Sequence, residues 1–555
     1  MRPSSTRTRL VAAGLLCAAL RLPALEYGVI SDDEAIYDAM AGTLASGGVM
    51  YRDAVDHKPP GLAYTYALLH RVADGDGVRA MALVHLLGLA AAVATCLVLF
   101  GIARRTLREP LWAVPPLLYA VFSACKQPAD GLAVNGELLM NLPCALCALC
   151  AIEAVRAGPR AKAFLLDLGA GALGAAAALY KYQAAVVLFA LPALWLEWAR
   201  AEGPARDGPP TAPARLLGAL SHAPAALLGA LLPLAAVAAY FRSRGALGEA
   251  FAWGIGFNRS YVAEGPPPLW ALGRFGLSLA GVVLPGALLY GGGLAGLRQL
   301  LRRRAGGPAS SRPDGPGNSP ADLPGAGPAD GIPDVTSARD FLAVWTLLSI
   351  ASVFIGLRFF GHYFLQPELP LSLLAAGPTT RLFAARPRLA RAALFLPALV
   401  FLVVAALPGI SRPLFNARDP DYGGIGRAIE ARTSPGDTIW VWGNVPQLYY
   451  ASSRSPGVRF SFCNYLTGLS PGTPSEYDDA FDPRAHVVTW AWELALEDLD
   501  QKKPALVLDT AAAGIKSYGK FPISAYPAFA RYLDLHYRPE GAVEGVVVYR
   551  RREGF

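Results

Sequence analysis

The sequence is poor in charged residues. Only 17% of its 555 residues are Asp, Glu, Lys or Arg, whereas 54% are hydrophobic; soluble domains carry about 25% charged residues. The apolar residues come in runs of roughly 17–25, the length that crosses a bilayer as a helix. A large soluble enzyme would show shorter amphipathic periods, so that class is excluded. The net charge of +8 reflects Arg clusters in the loops and does not require a nucleic-acid partner.

Cysteine is also scarce, with seven residues in the chain. Cys463 is the only one in the polar C-terminal region, which therefore has no internal disulfide. Cys144, Cys147 and Cys150 are spaced like metal ligands, but small residues on one face of a membrane helix have the same spacing. Because no polar residues accompany them, we interpret them as helix-packing residues.

The apolar runs predict a mostly α-helical, polytopic membrane protein of about 11 transmembrane helices. The predicted spans are 8–26, 78–103, 111–126, 137–155, 162–180, 183–199, 216–241, 269–297, 340–357, 361–383 and 390–409. The first is a retained helix rather than a signal peptide, because no small-x-small cleavage site follows it. The distribution of Arg and Lys between loops places the N-terminus in the cytoplasm and the C-terminal region outside.

The composition divides the chain into two domains. Residues 1–410 form the predicted transmembrane domain, with a first outer loop at 27–77 and a flexible cytoplasmic linker at 303–338. Residues 411–555 are more polar and predict a small soluble α/β domain outside the cytoplasm. Its predicted strands are Thr438–Trp442, Leu448–Ala451, Ala505–Asp509 and Val546–Arg550, and its predicted helices include 421–432 and 525–535.

Charged residues concentrate in the first outer loop, at Ser31–Tyr37 and Asp56–Gly61. Charges this close to a bilayer are costly unless they line a cavity filled by water or a ligand. We expect short helices at 34–47 and 61–73, the first capped by one of the two aspartates and the second opened by the Pro-Pro pair.

This combination of charges suits the transfer of a sugar from a lipid phosphate to a hydroxyl. The leaving phosphate needs cations rather than a general acid, and the acceptor hydroxyl needs a base. Asp32 or Asp33 could be that base, and Lys58, Arg358 and Lys181 could hold the phosphate. A helix-capping acid and a lysine extended toward the membrane interface are the alternative interpretations.

Further polar residues near the outer loops are predicted to contact the substrates. They are Glu34, Tyr37, Asp56, His57, Glu137, Gln183, His362 and Tyr363. For Glu137 and Gln183 the alternative is ordinary polarity at the membrane interface, and for His362 and Tyr363 it is an aromatic belt there. His57 beside Asp56 could bind a divalent metal, but no second His follows at ligand spacing. We therefore expect no metal and no other cofactor, with a divalent ion as the alternative.

These motifs resemble those of the polytopic glycosyltransferases of the GT-C class. The matching stretches are the acidic run after the first span, Lys58-Pro59-Pro60-Gly61, Lys181-Tyr182-Gln183, Arg358–Tyr363 and, in the C-terminal region, Ile439–Gly443. More narrowly, the chain is similar to the bacterial branch related to protein O-mannosyltransferases and lipid A aminoarabinose transferases. The resemblance implies a catalytic transmembrane domain, a polyprenyl-phosphate-linked sugar donor, and transfer with inversion that does not depend strongly on a metal.

The resemblance also implies individual roles. The first-loop acid of the family corresponds to Asp32 or Asp33, and we favour Asp33 as the base. Lys58 and Arg358 correspond to the donor-phosphate contacts, with His362 and Tyr363 beside them. Glu137 is the candidate for the acid of the second outer loop.

We therefore expect a glycosyltransferase of the bacterial cell membrane. Its partners would be a polyprenyl-phosphate sugar, the bilayer, and a lipid, glycan or protein whose hydroxyl accepts the sugar on the outer face, with no nucleic acid. A transporter or flippase of a lipid-linked saccharide would share the phosphate site, and a glycan polymerase or ligase would share the donor chemistry. A transporter would more often show inverted repeats and broken helices, which the sequence does not reveal.

Overall fold

The computed structural model describes residues 6–157, 159–201, 211–263, 265–305, 335–406, 420–469, 473–478, 480, 482 and 486–555. Up to residue 406 the described chain is built from helices. They are α1 (Thr6–Arg21), α2 (Asp32–Ala45), α3 (Pro60–Val72), α4 (Gly77–Thr106), α5 (Val114–Phe122), α6 (Pro128–Gly131), α7 (Gly136–Arg156), α8 (Arg160–Tyr180), α9 (Val186–Ala201), α10 (Ala212–Leu220), α11 (Ala223–Ser243), α12 (Leu247–Phe251), α13 (Asn258–Ala263), α14 (Pro268–Ser278), α15 (Ala287–Ala305), α16 (Arg339–Val353), α17 (Leu365–Ala385) and α18 (Pro387–Ala406). Most of the predicted linker at 303–338, and the predicted domain boundary at 410–411, lie outside the described residues.

Seven helical segments of the described chain are long and apolar enough to cross a membrane. They are Thr6–Glu26, Gly77–Thr106, Pro128–Arg156, Arg160–Tyr180, Tyr182–Arg200, Arg215–Ser243 and Pro387–Ala405. The segment predicted as one span over 269–297 consists of two helices, which meet at an angle of 102° and would make an eighth span if they cross together. The segments predicted at 111–126, 340–357 and 361–383 are helical as α5, α16 and α17 but are not among the seven, so the count of eleven stays a prediction.

A buried ion pair connects the loop after α5 to α17. Lys126 Nζ lies 2.5 Å from Glu368 Oε1, and neither side chain is more than 1% exposed. The hydroxyl of Tyr290, on α15, donates to the same carboxylate oxygen at 2.7 Å. Because an unpaired charge in a low-dielectric interior is costly, this contact fixes the position of the chain that follows Lys126.

The first loop begins α2 with a cap from Ser31, so the expected cap by Asp32 or Asp33 is wrong. The Ser31 hydroxyl accepts the N–H of Glu34 at 3.2 Å, and the Glu34 carboxylate accepts the N–H of Ile30 at 2.7 Å. This is close to the capping box, in which a Ser and a Glu three residues later satisfy the first N–H groups of a helix. The two aspartates are thereby left to contact other groups.

The second short helix of the loop starts as predicted. Pro59 precedes the first turn of α3 in an extended conformation, and Pro60 is its first residue. Proline fits there because its fixed φ suits a helix and the first N–H groups have no partner inside the helix. The two short helices predicted at 34–47 and 61–73 are confirmed as α2 and α3, within two residues of the predicted bounds.

The C-terminal region folds around a five-stranded sheet. Its elements are α19 (Tyr422–Glu430), β1 (Thr438–Trp442), α20 (Gln447–Ser452), β2 (Ser455–Pro456), α21 (Asn464–Thr467), α22 (Pro474–Tyr477), α23 (Thr489–Lys502), β3 (Leu506–Asp509), α24 (Pro527–His536), β4 (Tyr537–Val543) and β5 (Val546–Arg551). The strand order is β2-β1-β3-β5-β4. β1 pairs in parallel with β2 and β3, whereas β5 pairs antiparallel with β3 and β4. The α/β class predicted for this region is confirmed.

One predicted strand of this region is wrong. Leu448–Ala451 is part of α20, because Leu448, Tyr449 and Ser452 are the buried residues and their spacing is that of one helix face. Short apolar runs of this length do not distinguish a strand from a buried helix.

Candidate active site

Two glycines let three helices meet closely at the end of the bundle nearest the sheet. A Cβ atom on Gly61 would lie 2.5 Å from the carbonyl oxygen of Leu179, and one on Gly136 would lie 2.7 Å from that of Tyr180. Both carbonyls belong to the last turn of α8, so only glycine allows α3 and α7 to begin against it. This packing brings the segments that carry Lys58 and Lys181 to the same place.

A cavity of about 750 Å³ lies at this end, between the helices and the sheet region. Volumes of about 300–1,000 Å³ are typical of sites for small ligands. Eight of the predicted site residues line it: Asp32, Asp33, Asp56, His57, Lys58, Lys181, His362 and Tyr363. The structure thus brings together side chains that come from three separate outer loops of the prediction.

A close charged contact in the cavity joins Lys58 and Asp33. Lys58 Nζ lies 2.6 Å from Asp33 Oδ1, and both side chains remain about a quarter exposed. Burial alone would raise the pKa of Asp33, but the charges of Lys58 and His362 outweigh burial and lower it. Asp33 is therefore ionised at neutral pH, which is the state that a general base requires.

A second carboxylate, that of the buried Asp56, also lies near Lys58. Asp56 is 1% exposed, and its Oδ2 lies 3.9 Å from Lys58 Nζ. Its Oδ1 accepts the His57 N–H at 2.7 Å and the Tyr465 hydroxyl at 3.3 Å. Burial alone would raise the pKa of Asp56, but Lys58 and His57 outweigh it and lower the pKa below its usual range. Lys58 is therefore held between two negative charges, one buried and one open to the cavity.

Lys181 is the centre of a second cluster at the cavity. Its Nζ lies 2.5 Å from Glu137 Oε1 and 4.2 Å from the centre of the Tyr363 ring. His362 Nε2 lies 3.9 Å from the same carboxylate oxygen, and His362 Nδ1 lies 3.0 Å from Asp130 Oδ1. The residues of the second, third and last outer loops are thus joined into one network of charges and rings.

The remaining predicted site residues do not line the cavity: they are Glu34, Tyr37, Glu137, Gln183 and Arg358. Tyr37 and Glu137 lie just behind it, since Lys58 Nζ is 5.2 Å from the centre of the Tyr37 ring and Glu137 holds Lys181. Glu34 is fully buried and accepts the N–H of Val134 at 2.7 Å, a contact that joins α2 to the loop before α7. Gln183 accepts a hydrogen bond from Gln366 through its backbone carbonyl.

Arg358 lies in a strained segment beside the cavity and is 1% exposed. Its neighbours Leu357 and Phe359 have φ values of 53° and 51°. Such left-handed conformations are rare for bulky residues and cost about 1–3 kcal/mol each. The surrounding packing must therefore hold this turn in place, and the expected phosphate contact of Arg358 stays a prediction.

Sequence reasoning missed Arg274, which lines the cavity from α14. Its guanidinium carbon lies 5.5 Å from the ring centres of both Trp270 and Phe360. No carboxylate of the described chain forms an ion pair with it. The residue fell inside a predicted span and was read as part of an apolar helix. The bend that follows α14 removes it from that setting, and Pro285-Gly286 at the bend is the sequence signal that could have predicted it.

The first loop is also tied to the C-terminal region. Asp32 Oδ1 accepts a hydrogen bond from Gln447 Nε2 at 2.7 Å and pairs with Lys516 Nζ. Tyr465 lies on the other side of the cavity, where its hydroxyl is 3.0 Å from His57 Nδ1. Because both ties cross from the bundle to the sheet region, the cavity exists only where the two pack together.

The candidate metal position at Asp56 and His57 has no third ligand among the described residues, and no other group of three His, Cys, Asp or Glu side chains there could hold an ion. Cys144, Cys147 and Cys150 lie on α7, in one of the seven apolar spans. The expectation of a reaction without a cofactor stays a prediction.

Comparison with known proteins gives matches of fold only. No protein-family model matches the sequence, and no curated protein sequence does. The chain superposes on ArnT from Cupriavidus metallidurans bound to undecaprenyl phosphate with a TM-score of 0.53 and 12% identity, covering 98% of each chain. It superposes on the Archaeoglobus fulgidus oligosaccharyltransferase tethered to an acceptor peptide with a TM-score of 0.50 and 12% identity, covering 99% of this chain and 74% of that one. The chain therefore shares the fold of these two proteins, and the predicted mostly α-helical architecture with a small C-terminal α/β region is confirmed.

Proposed function

We propose that this protein is a membrane glycosyltransferase that moves a sugar from a polyprenyl phosphate to a hydroxyl group. The observation that carries the proposal is the contact between the ionised Asp33 and Lys58 in a cavity that also contains Lys181 and Arg274. A base and several cations in one enclosed space are what this transfer needs. The undecaprenyl phosphate bound to the structurally similar ArnT supports a polyprenyl-phosphate donor.

The reaction is a single displacement at the anomeric carbon. The acceptor oxygen forms a bond to that carbon while the bond from the carbon to the phosphate oxygen breaks, with inversion. The electron pair of the broken bond leaves on the polyprenyl phosphate, and the proton of the acceptor hydroxyl goes to Asp33. Lys58 stabilises the phosphate as its negative charge increases, and Arg274, whose planar group can donate two parallel hydrogen bonds, is placed to do the same.

The ion pair between Lys58 and Asp33 links donor binding to base strength. Lys58 has three N–H donors, so a donor phosphate competes with Asp33 for the charge of the ammonium group. When the phosphate takes part of that charge, the pKa of the Asp33 carboxyl rises and the carboxylate becomes a better base. Asp56, buried behind Lys58, keeps the lysine in position during this exchange.

A transporter of lipid-linked saccharides is the second candidate, because α14 and α15 meet at 102° and broken helices are typical of transporters. It would bind the same phosphate without breaking a bond. Release of free polyprenyl phosphate from a sugar-charged carrier therefore separates the two functions.

Replacing Lys58 by Met is expected to weaken the binding of undecaprenyl phosphate by at least tenfold. The substitution keeps the length of the side chain but removes the charge that contacts the phosphate, and charge-assisted hydrogen bonds contribute about 1.5–3 kcal/mol each. Binding is measured on the purified protein in lipid nanodiscs, together with sugar transfer from undecaprenyl-phosphate-linked hexoses.

Lys502→Met is the matched control, because Lys502 lies exposed at the end of α23 and outside the cavity. It should bind undecaprenyl phosphate as the wild type does. Affinity within twofold of wild type in Lys58→Met would contradict the phosphate role. Binding without bond cleavage, in the presence of every acceptor class, would favour the transporter.

The positive-inside distribution supports a bacterial cell-membrane protein with a cytoplasmic N-terminus and the cavity on the outer side. Cys463 cannot report this orientation, because it is fully buried beside β1. A cysteine introduced by Gln501→Cys, on the exposed face of α23, should react with a membrane-impermeant maleimide added to intact cells. Wild-type protein, whose seven cysteines are mostly buried, is the control. Labelling of Gln501→Cys only after the cells are broken would reverse the topology.

A further inference from the structure

The sheet region presents its strand ends to the cavity. β1 ends at Trp442 and β3 at Asp509, and the two strands are parallel. Asn444 and Gln447 follow β1, and they line the cavity. In parallel sheets, ligands bind at the carboxyl ends of the strands, where the connecting loops diverge. The sheet region is therefore oriented to contribute a ligand subsite of its own.

Where the sheet region forms the wall of the cavity, three side-chain amides have unused hydrogen-bonding groups. Asn444 is 9% exposed, and its amide forms no hydrogen bond within the described chain. The Oε1 atom of Gln447 is buried and has no partner among the described residues. Asn464 accepts the hydroxyl of Tyr518 at 3.3 Å, and its amide NH₂ group is not used within the same part of the chain.

Of these groups only Gln447 Oε1 is a buried atom, and more than about 90% of buried polar groups are hydrogen-bonded. A buried donor or acceptor without a partner costs about 1–3 kcal/mol. The amides of Asn444 and Asn464 are instead open to the cavity and have unused groups, so a ligand there can hydrogen-bond to both.

The chemistry of the wall indicates what that ligand is. Amides offer donors and acceptors without a charge, which suits hydroxyl and acetamido groups rather than phosphates or carboxylates. Three ionisable residues of the sheet region also line the cavity: Lys516 is paired with Asp32, and Glu476 and His486 have interactions of their own. Aromatic rings of Phe462 and Tyr465, with centres 5.2 Å apart, lie beside the amides and offer an apolar surface.

We propose that Asn444 and Asn464, with Gln447 beside them, form the acceptor subsite and that the acceptor is a neutral glycan, whose hydroxyl groups hydrogen-bond to the open amides of Asn444 and Asn464. This inference rests on the proposed function. The cations Lys58, Lys181 and Arg274 belong to the helical region, whereas the amides belong to the sheet region, so different parts of the chain contact the donor phosphate and the acceptor sugar. Asp33 lies on the helix side of the cavity and receives the proton of the acceptor hydroxyl.

The test uses the full-length protein in lipid nanodiscs. Neutral trisaccharides of glucose, mannose and N-acetylglucosamine are offered as probes, together with a Ser/Thr octapeptide, and the bound species are detected by native mass spectrometry. At least one trisaccharide should bind to the wild type. Asn444→Ala and Asn464→Ala should each weaken that binding about tenfold, which corresponds to 1.4 kcal/mol.

Two measurements keep this result separate from misfolding and from the donor site. Undecaprenyl phosphate should bind both Asn variants within twofold of wild type, because neither side chain is one of the cations that hold the phosphate. Gln501→Ala, on the exposed face of α23, should leave trisaccharide binding unchanged.

The outcomes distinguish the two proposals. Loss of trisaccharide binding in both Asn variants, with undecaprenyl phosphate binding retained, would support the subsite. Undecaprenyl phosphate binding without any trisaccharide binding, or trisaccharide binding that neither variant changes, would overturn it and leave the transferase proposal standing. Binding of the octapeptide that depends on Asn444 would assign the subsite to a protein acceptor instead. Failure of the wild type to bind undecaprenyl phosphate would overturn the proposed function itself.

Discussion

Replacing Asp33 by Asn is expected to lower the rate of sugar transfer by about 10²–10⁴-fold, the usual contribution of a general base. The amide has nearly the same shape as the carboxylate but cannot accept the proton of the acceptor hydroxyl. Donor binding should be retained or slightly strengthened, because Lys58 loses its contact with the Asp33 carboxylate and remains available to the phosphate. Sugar transfer and undecaprenyl phosphate binding are measured on the same nanodisc sample.

Asp32→Asn is the informative comparison, since the two aspartates are adjacent on α2. The Asp32 carboxylate is turned toward Gln447 and Lys516, so its loss should affect transfer much less than the loss of Asp33. Asp74→Asn is the control: Asp74 lies exposed in the turn after α3 with φ of 54°, a conformation that Asn tolerates. A larger effect of Asp32→Asn than of Asp33→Asn would make Asp32 the base.

Replacing Lys126 by Met is expected to destabilise the protein by about 3–5 kcal/mol, the usual cost of removing one partner of a buried ion pair. Glu368 would keep only the Tyr290 hydroxyl as a partner for its Oε1, and its Oε2 has none in the described chain. The thermal unfolding midpoint in nanodiscs should fall accordingly.

The double variant Lys126→Met with Glu368→Leu separates the pair from the packing of its side chains. Because it leaves no unpaired charge, it should recover most of the stability that the single variant loses. A double variant that is less stable than Lys126→Met would show that the ion pair does not explain the loss. Neither residue lines the cavity, so undecaprenyl phosphate binding is measured alongside as a check on the site.

Some features of the site could be predicted from the sequence because local chemistry determines them. The Pro-Pro-Gly turn begins a helix and permits a close approach, and it places Lys58 at the end of the bundle. The acidic run is at a helix start, where negative charge is favourable. Long apolar runs indicate membrane helices because their length and composition match the bilayer.

Other features depend on contacts between distant segments. Tyr465 is one aromatic residue among many in the sequence, and its contact with Asp56 requires the sheet region to pack on the first loop. Asp130 precedes an apolar segment, and nothing in the sequence indicates its contact with His362. Arg274 reaches the cavity because of the bend after α14. Glu34 was predicted to contact the substrate, but its partners are backbone groups and His85.

The tie between Asp32 and Lys516 has a consequence for how the enzyme is made. These residues are separated by 484 positions, so a nascent chain inserts its first loop, with Lys58 and Asp33, long before the opposing wall has been synthesised. Until the last part of the chain emerges and docks, the charged loop lacks its contacts with the sheet region. If the protein has the proposed function, biosynthesis therefore delays competence for transfer until the polypeptide is nearly complete, because an interrupted chain lacks the sheet side of the cavity.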